Sequence, residues 1–490
     1  RARAPGCEGL MPISTFNGLN IALSALQAEQ ASLDTTSHNI ANASTVGYSR
    51  QVSNLTAKPG LGALSVWEMM IPGQTGQGVQ VADVTRIRDQ FNDNNLRANY
   101  ATQGEADVRQ ATWKNIETAL PEPGDNGLQA SMSNFWTAMQ NVSTNPEDAG
   151  SRQALAQSVQ ALGQSFQNAS NTLTQQRNDV DTQANSMVDT INADAGQIAK
   201  LNTSISNLEA VGQNPNDLLD QRDNIIDQLS ALGNTTVTPG TNGVVTVTLG
   251  GALIVDPSTA TGLPATPVTR ATFNPNYGST TPQPTVAAGL TGGQLKGLLD
   301  AYSTTLNAAV SGSIPAKLDQ LAISIHDAVN AQNEAGFDLN GTAGGPLFAG
   351  TTISSASQLA VDPGVIADPS LIAASSSAAG APGDSGNMIA MIALRANAAA
   401  PGSTLGGKTF DDFYAGMVSS MGLSAQTATT DSTNSATVVN TLTTARSQVS
   451  GVSLDEEMTN LVKFQHAYAA AGRAMSTMNQ MLDSLINMMQ

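Results

Sequence analysis

The two ends of the chain carry apolar stripes of the same period. Near the start, Phe16, Leu19, Leu23, Leu26, Gln30, Leu33, Ser37 and Ile40 follow one another at alternating steps of three and four. A seven-residue repeat of this kind places one side chain per half-repeat on a single helical seam. Only Glu29 and Asp34 carry charge between Ile13 and Thr45. Such a helix has a narrow seam and weak flanks, so it is marginal alone and needs a partner helix. The far end repeats the pattern: Ser453 and Glu456 form a capping box, and Leu454, Met458, Leu461, Phe464, Tyr468, Ala471, Met475, Met478, Leu482, Leu485 and Met489 step by three or four throughout. At 1.5 Å per residue this is a rod of about 55 Å. Its methionines suit adaptable packing. Two matched seams at opposite ends of one chain predict that the ends meet in space.

The segment between them is mostly helical in pattern. Leu128, Met132, Phe135, Met139 and Val142 mark one helix, which Asn145-Pro146 closes. From Glu147 to Ala210 no proline intervenes, and the apolar repeat runs from Leu155 through Val180 to Leu208. That predicts one very long helix, or two nearly continuous ones, of about 90 Å. Gly212 to Pro215 stops it, and Asn216 to Leu232 reads as a shorter helix with Ile225, Leu229 and Leu232 inward. Asp217 and Asp220 suit the positive end of its dipole. Val245, Val247 and Leu249 then alternate with threonine, and Gly250-Gly251 leads into Leu253 to Val255, the pattern of a hairpin. Residues 293–335 return to helix, 336–386 read as strand and loop, and residues 387–395 and 410–446 as helix. The expected fold is mainly α: an elongated multi-domain rod with terminal coiled-coil helices (11–60 and 447–490), a long-helix bundle (61–235, 291–335 and 387–446) and inserted β/loop-rich outer parts (236–290 and 336–386). Residues 1–10 differ in texture from the chain after Met11-Pro12 and read as an extension.

Composition narrows the possible functions. With 21 Lys and Arg against 39 Asp and Glu, the net charge is −18, so no basic face is expected for nucleic acid or an anionic membrane. No run of about 18 apolar residues exists to span a bilayer, and the start lacks the apolar core of a signal peptide. One cysteine, Cys7, permits no internal disulfide, and three histidines cannot alone build a His-rich metal site. The carboxylates are scattered and are expected to be mostly solvated. Three segments imitate enzymes, and one of them, Leu253 to Asp256, resembles a metal-holding strand but comes early in the chain and runs into Pro257. Residues 402–409 fit a phosphate-loop spacing, but the preceding Ala393 to Ala400 is helix-forming, where the chemistry needs a strand aiming backbone N–H groups at phosphate. Gly383-Asp384-Ser385-Gly386 imitates a nucleophile turn, yet His326 lies on an apolar-periodic helix, His38 within the N-terminal motif and His466 on the C-terminal rod, none in a catalytic context. Neither a catalytic site nor a cofactor is expected.

The most specific segment is Ser37, His38, Asn39, Ile40, Ala41, Asn42, Ala43, Ser44, Thr45, Val46, Gly47, Tyr48, Ser49, Arg50 and Gln51. Physically it is a helix end: Asn39 and Asn42 can bond frayed backbone, Gly47 allows a turn, and Tyr48 is an aromatic anchor. It resembles the N-terminal signature of bacterial flagellar rod, hook and hook-associated proteins, and its Gly47-to-Gln51 tail is most similar to the hook–filament junction branch. Residues 76–89, 215–223 and 450–489 are similar to further stretches of that branch. The resemblance implies a structural, non-enzymatic subunit at the junction between hook and filament. It implies self-association in a ring or tubular layer through the terminal seams, with Phe16, Leu19, Leu23, Leu26, Leu33, Leu454, Met458, Leu461, Phe464, Tyr468, Met475, Met478, Leu482, Leu485 and Met489 at the interface. The implied neighbours are the hook protein on one side and the next hook-associated junction protein on the other. An export chaperone on the C-terminal helix, type III export without a cleaved signal and an extracellular flagellar location are also implied. Competing readings are another axial protein, of the hook or distal rod, and a secreted coiled-coil adhesin acting through residues 236–290 and 336–386.

Overall fold

The computed structural model describes residues 15–58, 76–122, 124, 127–264, 266–273, 289–397, 402 and 404–488. The expected extension at residues 1–10, Met489 and the side chain of Phe16 lie outside the described residues. Twelve α-helices and five strands are present among those described: α1 (Thr15–Asn42), β1 (Gln51–Ala57), β2 (Val79–Arg86), α2 (Gln90–Ala119), α3 (Leu128–Thr144), α4 (Ala149–Glu209), α5 (Asn216–Leu232), β3 (Thr235–Pro239), β4 (Val245–Leu249), β5 (Ala252–Val255), α6 (Arg270–Phe273), α7 (Gln294–Asp300), α8 (Ile314–Glu334), α9 (Pro363–Ala367), α10 (Gly386–Ala393), α11 (Phe410–Ser450) and α12 (Leu454–Met488). The fold is elongated and helical, as the periodicity predicts.

The long proline-free stretch is a single helix. α4 holds 61 residues, about 90 Å of axis. Asp148 starts it, accepting the Ser151 N–H at 2.7 Å, the usual satisfaction of an orphan donor at a helix start. The chain leaves α4 through Gly212 at φ +79°, a conformation glycine reaches without steric cost. α3 lies along α4 with Leu128, Met132, Phe135, Met139 and Val142 all buried. They meet Leu155, Val159, Leu162 and Phe166 of α4 in one core. Trp136 stacks on Phe410 at the start of α11, with ring centroids 6.0 Å apart.

Residues 336–386 pack onto this core. Leu347, Phe348, Leu359 and Ile372 are fully buried in it. The segment holds only isolated bridges, such as Phe337 with Ser375, and short helical turns; the regular strands expected there are absent among the described residues. Arg152 of α4 pins it: this buried guanidinium donates to the carbonyls of Pro146 (2.6 Å) and Ile372 (2.7 Å). Carbonyl dipoles satisfy its donors where no carboxylate reaches them. The predicted hairpin is β4–β5, turning through Gly250 and Gly251 at φ +56° and +78°. A third strand, β3, pairs antiparallel with β4. Asn202 of α4 binds both the N–H and the carbonyl of Val245, tying the sheet to the bundle.

α2 has no counterpart in the apolar pattern. Its buried face contains Asp93, Arg97, Ala101, Gly104, Ala106 and Thr112, with Leu96 and Ile116 as its large apolar members. It packs between α11 on one side and α5 and α7 on the other. Gly104 sets the approach to α5: a Cβ there would stand 2.3 Å from the Ala231 carbonyl oxygen. The Gly104→Ala variant is therefore expected to lose about 1–3 kcal/mol of stability to overpacking, despite the better helix propensity of alanine. Urea titration followed by circular dichroism measures this.

Candidate assembly site

The signature residues form a junction between the terminal helices and the bundle. α1 ends at Asn42, and the chain reverses through Gly47 at φ +81°. Asn39, 1% exposed, is the centre of this turn. Its Oδ1 accepts from the Gln51 N–H (2.9 Å) and the Tyr48 hydroxyl (2.8 Å). Its Nδ2 donates to the Gln51 carbonyl (2.8 Å) and Glu457 Oε2 (3.1 Å). The side chain thus pairs with Gln51 as a neighbouring strand would, joining α1, β1 and α12; capping of a frayed end falls instead to Asn42, which donates to the His38 carbonyl at 3.1 Å. Replacing Asn39 by alanine leaves a buried N–H, a carbonyl and a hydroxyl short of partners. At about 1–3 kcal/mol per unsatisfied group, the expected loss is about 3 kcal/mol. Faster amide exchange at Gln51 would report it.

Ser49 is buried and donates both its N–H (2.7 Å) and its hydroxyl (2.8 Å) to Asp220 of α5. Arg50 bridges to Glu457 (2.7 Å) and Glu456 (2.9 Å) at the start of α12. Gln51 Nε2 donates to Asp217 at 2.8 Å. Asp217 and Asp220 therefore do more than face a helix dipole: they receive the signature. Tyr48 lies edge-on to His38, with centroids 5.6 Å apart. Burial, then Asp217, Asp220 and Glu457, push its phenol above the ordinary range, so it stays protonated and can donate to Asn39. Ser37, Ala41 and Thr45 point to solvent, while Ile40, Asn42 and Gly47 are half-buried.

Behind the signature lies an ion network that scattered carboxylates did not announce. Arg86 and Arg88 of the β2 region, Arg97 of α2 and Arg446 of α11 interleave with Asp93, Asp220, Asp223 and Asp227. Arg86 reaches Asp220 at 2.7 Å and Asp223 at 2.6 Å. Arg97 bridges Asp223 (3.2 Å) and Asp227 (2.7 Å), and Arg88 holds Asp93 at 2.8 Å. Arg446 reaches Asp227 at 2.5 Å. Asp93, Asp220 and Asp223 are buried, against the expectation that the carboxylates are solvated. Burial works to raise the Asp223 carboxyl, but Arg86, Arg88, Arg97 and Arg222 together outweigh it and hold it below the usual range.

α1 and α12 pack along each other, so the two ends do meet. The closely packed face of α1, however, is made of small and polar side chains: Ala22, Ser24, Ala28, Ser32, Thr36 and Asn39 are buried. Gly18 sits against the Met478 thioether, which would have to shift to admit a Cβ. The leucine seam is turned partly outward. Leu19, Leu26 and Leu33 are half-buried, and Leu23 is 42% exposed. On α12, Leu461, Phe464, Met475, Met478 and Leu482 are half-buried. Leu454, Met458, Tyr468 and Leu485 are 41% to 53% exposed, and Val462, Met481 and Ile486, which the heptad reading passed over, are exposed as well. Only Glu457 is buried on this helix among the described residues.

In the described parts of two of the enzyme-like segments, polar side chains cap turns and helix starts. Thr409 caps α11, accepting the Asp412 N–H at 3.1 Å. Among the described residues, a helix and a short helical turn, with no strand, precede that loop. Asp384 accepts from Ser376, Ser375 and Gly386. His326 is buried in contact with Asp327 and the Gly350 carbonyl. Among the described residues no group of three or more His, Cys, Asp or Glu could hold a metal, and no helix is long and apolar enough to cross a membrane.

Comparison with known proteins accounts for this arrangement. A family model described as the flagellar hook-associated protein FlgK helical domain matches residues 113–348. Two further models, the flagella basal body rod protein and the flagellar basal body rod FlgEFG protein C-terminal, match residues 19–48 and 445–488. These are the helices that meet at the signature. The flagellar hook-associated protein 1 of Bacillus subtilis (strain 168) is 32% identical over 503 residues, covering 97% of this chain and 98% of that protein. That of Escherichia coli (strain K12) is 30% identical over 568 residues, covering 96% and 99%. The solved flagellar hook junction protein FlgK of Burkholderia pseudomallei shares the fold, with a TM-score of 0.56 at 20% identity over 73% of this chain and all of that one. From the near full-length relationship and the matched helical domain, the chain belongs to the flagellar hook-associated protein 1 family, structural components of the bacterial flagellum.

Proposed function

We propose that the chain builds the hook–filament junction by self-association through the outward faces of α1 and α12. The observation that carries this is the apolar surface α12 leaves uncovered, from Leu454 and Met458 to Leu485 and Ile486. A helix pair that buries little of its own seam gains stability when neighbouring copies supply the missing surface, at about 25 cal/mol per Å². The candidate interface is Phe16, Leu19, Leu23, Leu26, Leu33, Leu454, Met458, Leu461, Phe464, Tyr468, Met475, Met478, Leu482, Leu485 and Met489. The signature residues, centred on Asn39, Ser49 and Arg50, would fix the angle between this inner pair and the bundle. In this reading the hook protein lies on one side and another hook-associated junction protein on the other. The chain would leave the cell by the flagellar type III route. An export chaperone would cover the same α12 face before assembly, as a groove takes an amphipathic helix.

Electron cryo-microscopy of isolated hook–filament particles tests the reading. The expected image is a layer of this chain between hook and filament, with α1 and α12 innermost and the α3–α4 bundle outside. Density for the chain elsewhere on the axis, or terminal helices on the outer surface, would overturn it.

A further inference from the structure

The charges of the terminal helix pair are segregated. α1 contains Glu29 and Asp34 and no lysine or arginine. α12 carries its acids in the first turn and, near its end, Asp483; between them its charges are Lys463 and Arg473. Lys463 is exposed, 5.8 Å from the ring centroid of its neighbour Phe464, with no carboxylate in ion-pair range among the described residues.

The anions of the opposite side open on a groove. It lies between the last turns of α1, β2, the end of α4 and the start of α5, and holds about 770 Å³. Asp34 and His38 line it from α1, and Asp217 and Gln221 from α5. Asp34 is exposed and, among the described residues, has no hydrogen-bond or ion-pair partner. The Asp217 side chain is 58% exposed; Gln51 donates to it at 2.8 Å and the His38 ring lies 3.4 Å away. No lysine or arginine is among the described residues that line this groove.

The register of the pair sets these charges at one height. Asn39 bonds Glu457 and Gly18 meets Met478, so the two helices run antiparallel with a constant offset. Asp34 lies five residues before Asn39, and Lys463 six residues after Glu457. The two are therefore level to within about 1.5 Å along the axis. They stand on different sides. Burial raises the Glu29 carboxyl and the charge of Lys463 works against it, so Lys463 is on the Glu29 side of the pair. Glu29 and Asp34 are five residues apart, about 140° around α1, and Asp34 faces the groove.

A cation on one side and carboxylates at the same height on another are the two halves of a head-to-tail contact, the kind that closes a ring of identical copies. Copies with a net charge of −18 repel one another, and a lysine between two carboxylates removes part of that repulsion where they touch. Charge pairs of this kind fix register and exclude wrong partners more than they add affinity.

We propose that Lys463 of one copy enters the groove of the next and pairs with its Asp34 and Asp217, setting the height at which neighbouring copies meet. This rests on the reading that copies of the chain assemble around the flagellar axis. The test is cross-linking in isolated hook–filament particles. Gln221→Cys, on the groove, is combined with His466→Cys, one turn from Lys463, in a Cys7→Ser background, which leaves Lys463 and both carboxylates in place. Both positions are exposed, and circular dichroism checks that each variant is folded. The expected result with a short bifunctional maleimide is a ladder of covalent multimers from the combination and no ladder from either single variant. Adding Lys463→Glu should cut the ladder per particle about tenfold, because like charges then meet. Adding Asp34→Lys to that chain should restore most of it. A ladder that Lys463→Glu leaves unchanged, or that the double swap fails to restore, would overturn the proposal. Chain present in the particles by immunoblotting but forming no ladder, or linked there only to a different protein, would overturn it while leaving the assembly reading standing. Particles that lack the chain altogether would overturn the assembly reading and this proposal together.

Discussion

The Asp223→Ala variant is expected to lose about 3–5 kcal/mol of stability, the usual cost of removing one partner from a buried ionic cluster. Arg86 and Arg97 contact this carboxylate directly, and Arg88 lies 3.5 Å away. Without it the network keeps its guanidiniums and loses the anion that lies among three of them. The damage should reach the joint as well as the bundle, because Asp220, which shares Arg86, also receives Ser49 of the signature. Urea denaturation gives the magnitude. A change below 1 kcal/mol would show that solvent or neighbouring carboxylates replace the anion and that the network is peripheral.

The same group makes stability depend on acid. The folded carboxyl titrates below its ordinary value of 3.8. A depressed carboxyl contributes stability that is complete above the unfolded value and lost as pH falls through the folded one. The wild-type chain should therefore hold its stability down to about pH 4 and lose this contribution progressively below it. In Asp223→Asn the part of that acid loss due to this group should be missing, on top of a lower plateau at neutral pH. Denaturation midpoints measured from pH 7 to pH 2.5 would show both.

The second large effect concerns assembly. Replacing Met458, Met481 and Ile486 together by glutamate should leave the isolated chain as stable as wild type, within about 0.5 kcal/mol for each exposed position. All three are at least half exposed. In the flagellum the same replacements would place charges in a seam that neighbouring copies cover, and unpaired buried charge is strongly unfavourable. The expected outcome is a folded, exported protein that fails to hold filaments on hooks, scored as loss of swimming and as filaments shed into the medium. Normal swimming by this triple variant would place the interface elsewhere.

Much of the architecture was legible because large apolar residues recur at helical spacing. α3, α4, α5 and α12 follow directly from that signal. Within α5 the inward residue is Ile226, with Ile225 at its edge, a rotation that periodicity alone resolves poorly when two isoleucines adjoin. α2 was hidden because its buried face is held by Arg97, Asp93 and small residues, whose contribution depends on partners far away in sequence. For α1 the heptad marked the helix correctly. Yet the tight intramolecular face is the small one, from Ala22 to Thr36, since only small side chains let the helix approach β1, β2 and α12 closely. Placing the leucine seam partly outside is what makes the helix a candidate contact between copies. β3 gave little pattern because Thr235 to Pro239 is short and mostly polar, and it forms by pairing with a hairpin already anchored on Asn202.

The roles of the signature residues divide along the same line. Gly47 and Tyr48 could be assigned a turn and an anchor from chemistry alone. The partners of Asn39, Ser49 and Arg50 could not, because Glu457, Asp220 and Glu456 lie more than 150 residues away. Two carboxylates placed at the start of α5 suit a helix dipole equally well, so only the fold shows that they also receive another segment.

In the assembly proposed above, α1 and α12 bury their outward faces only when copies come together. Limited proteolysis read by mass spectrometry compares the free chain with the chain in isolated hook–filament particles. Early cuts are expected within residues 15–58 and 454–488 of the free chain, with a resistant core from α2 to α11 and protection of the same terminal segments in the particles. Terminal segments as resistant as the core in a verified monomer, or cut equally fast in the particles, would contradict that assembly.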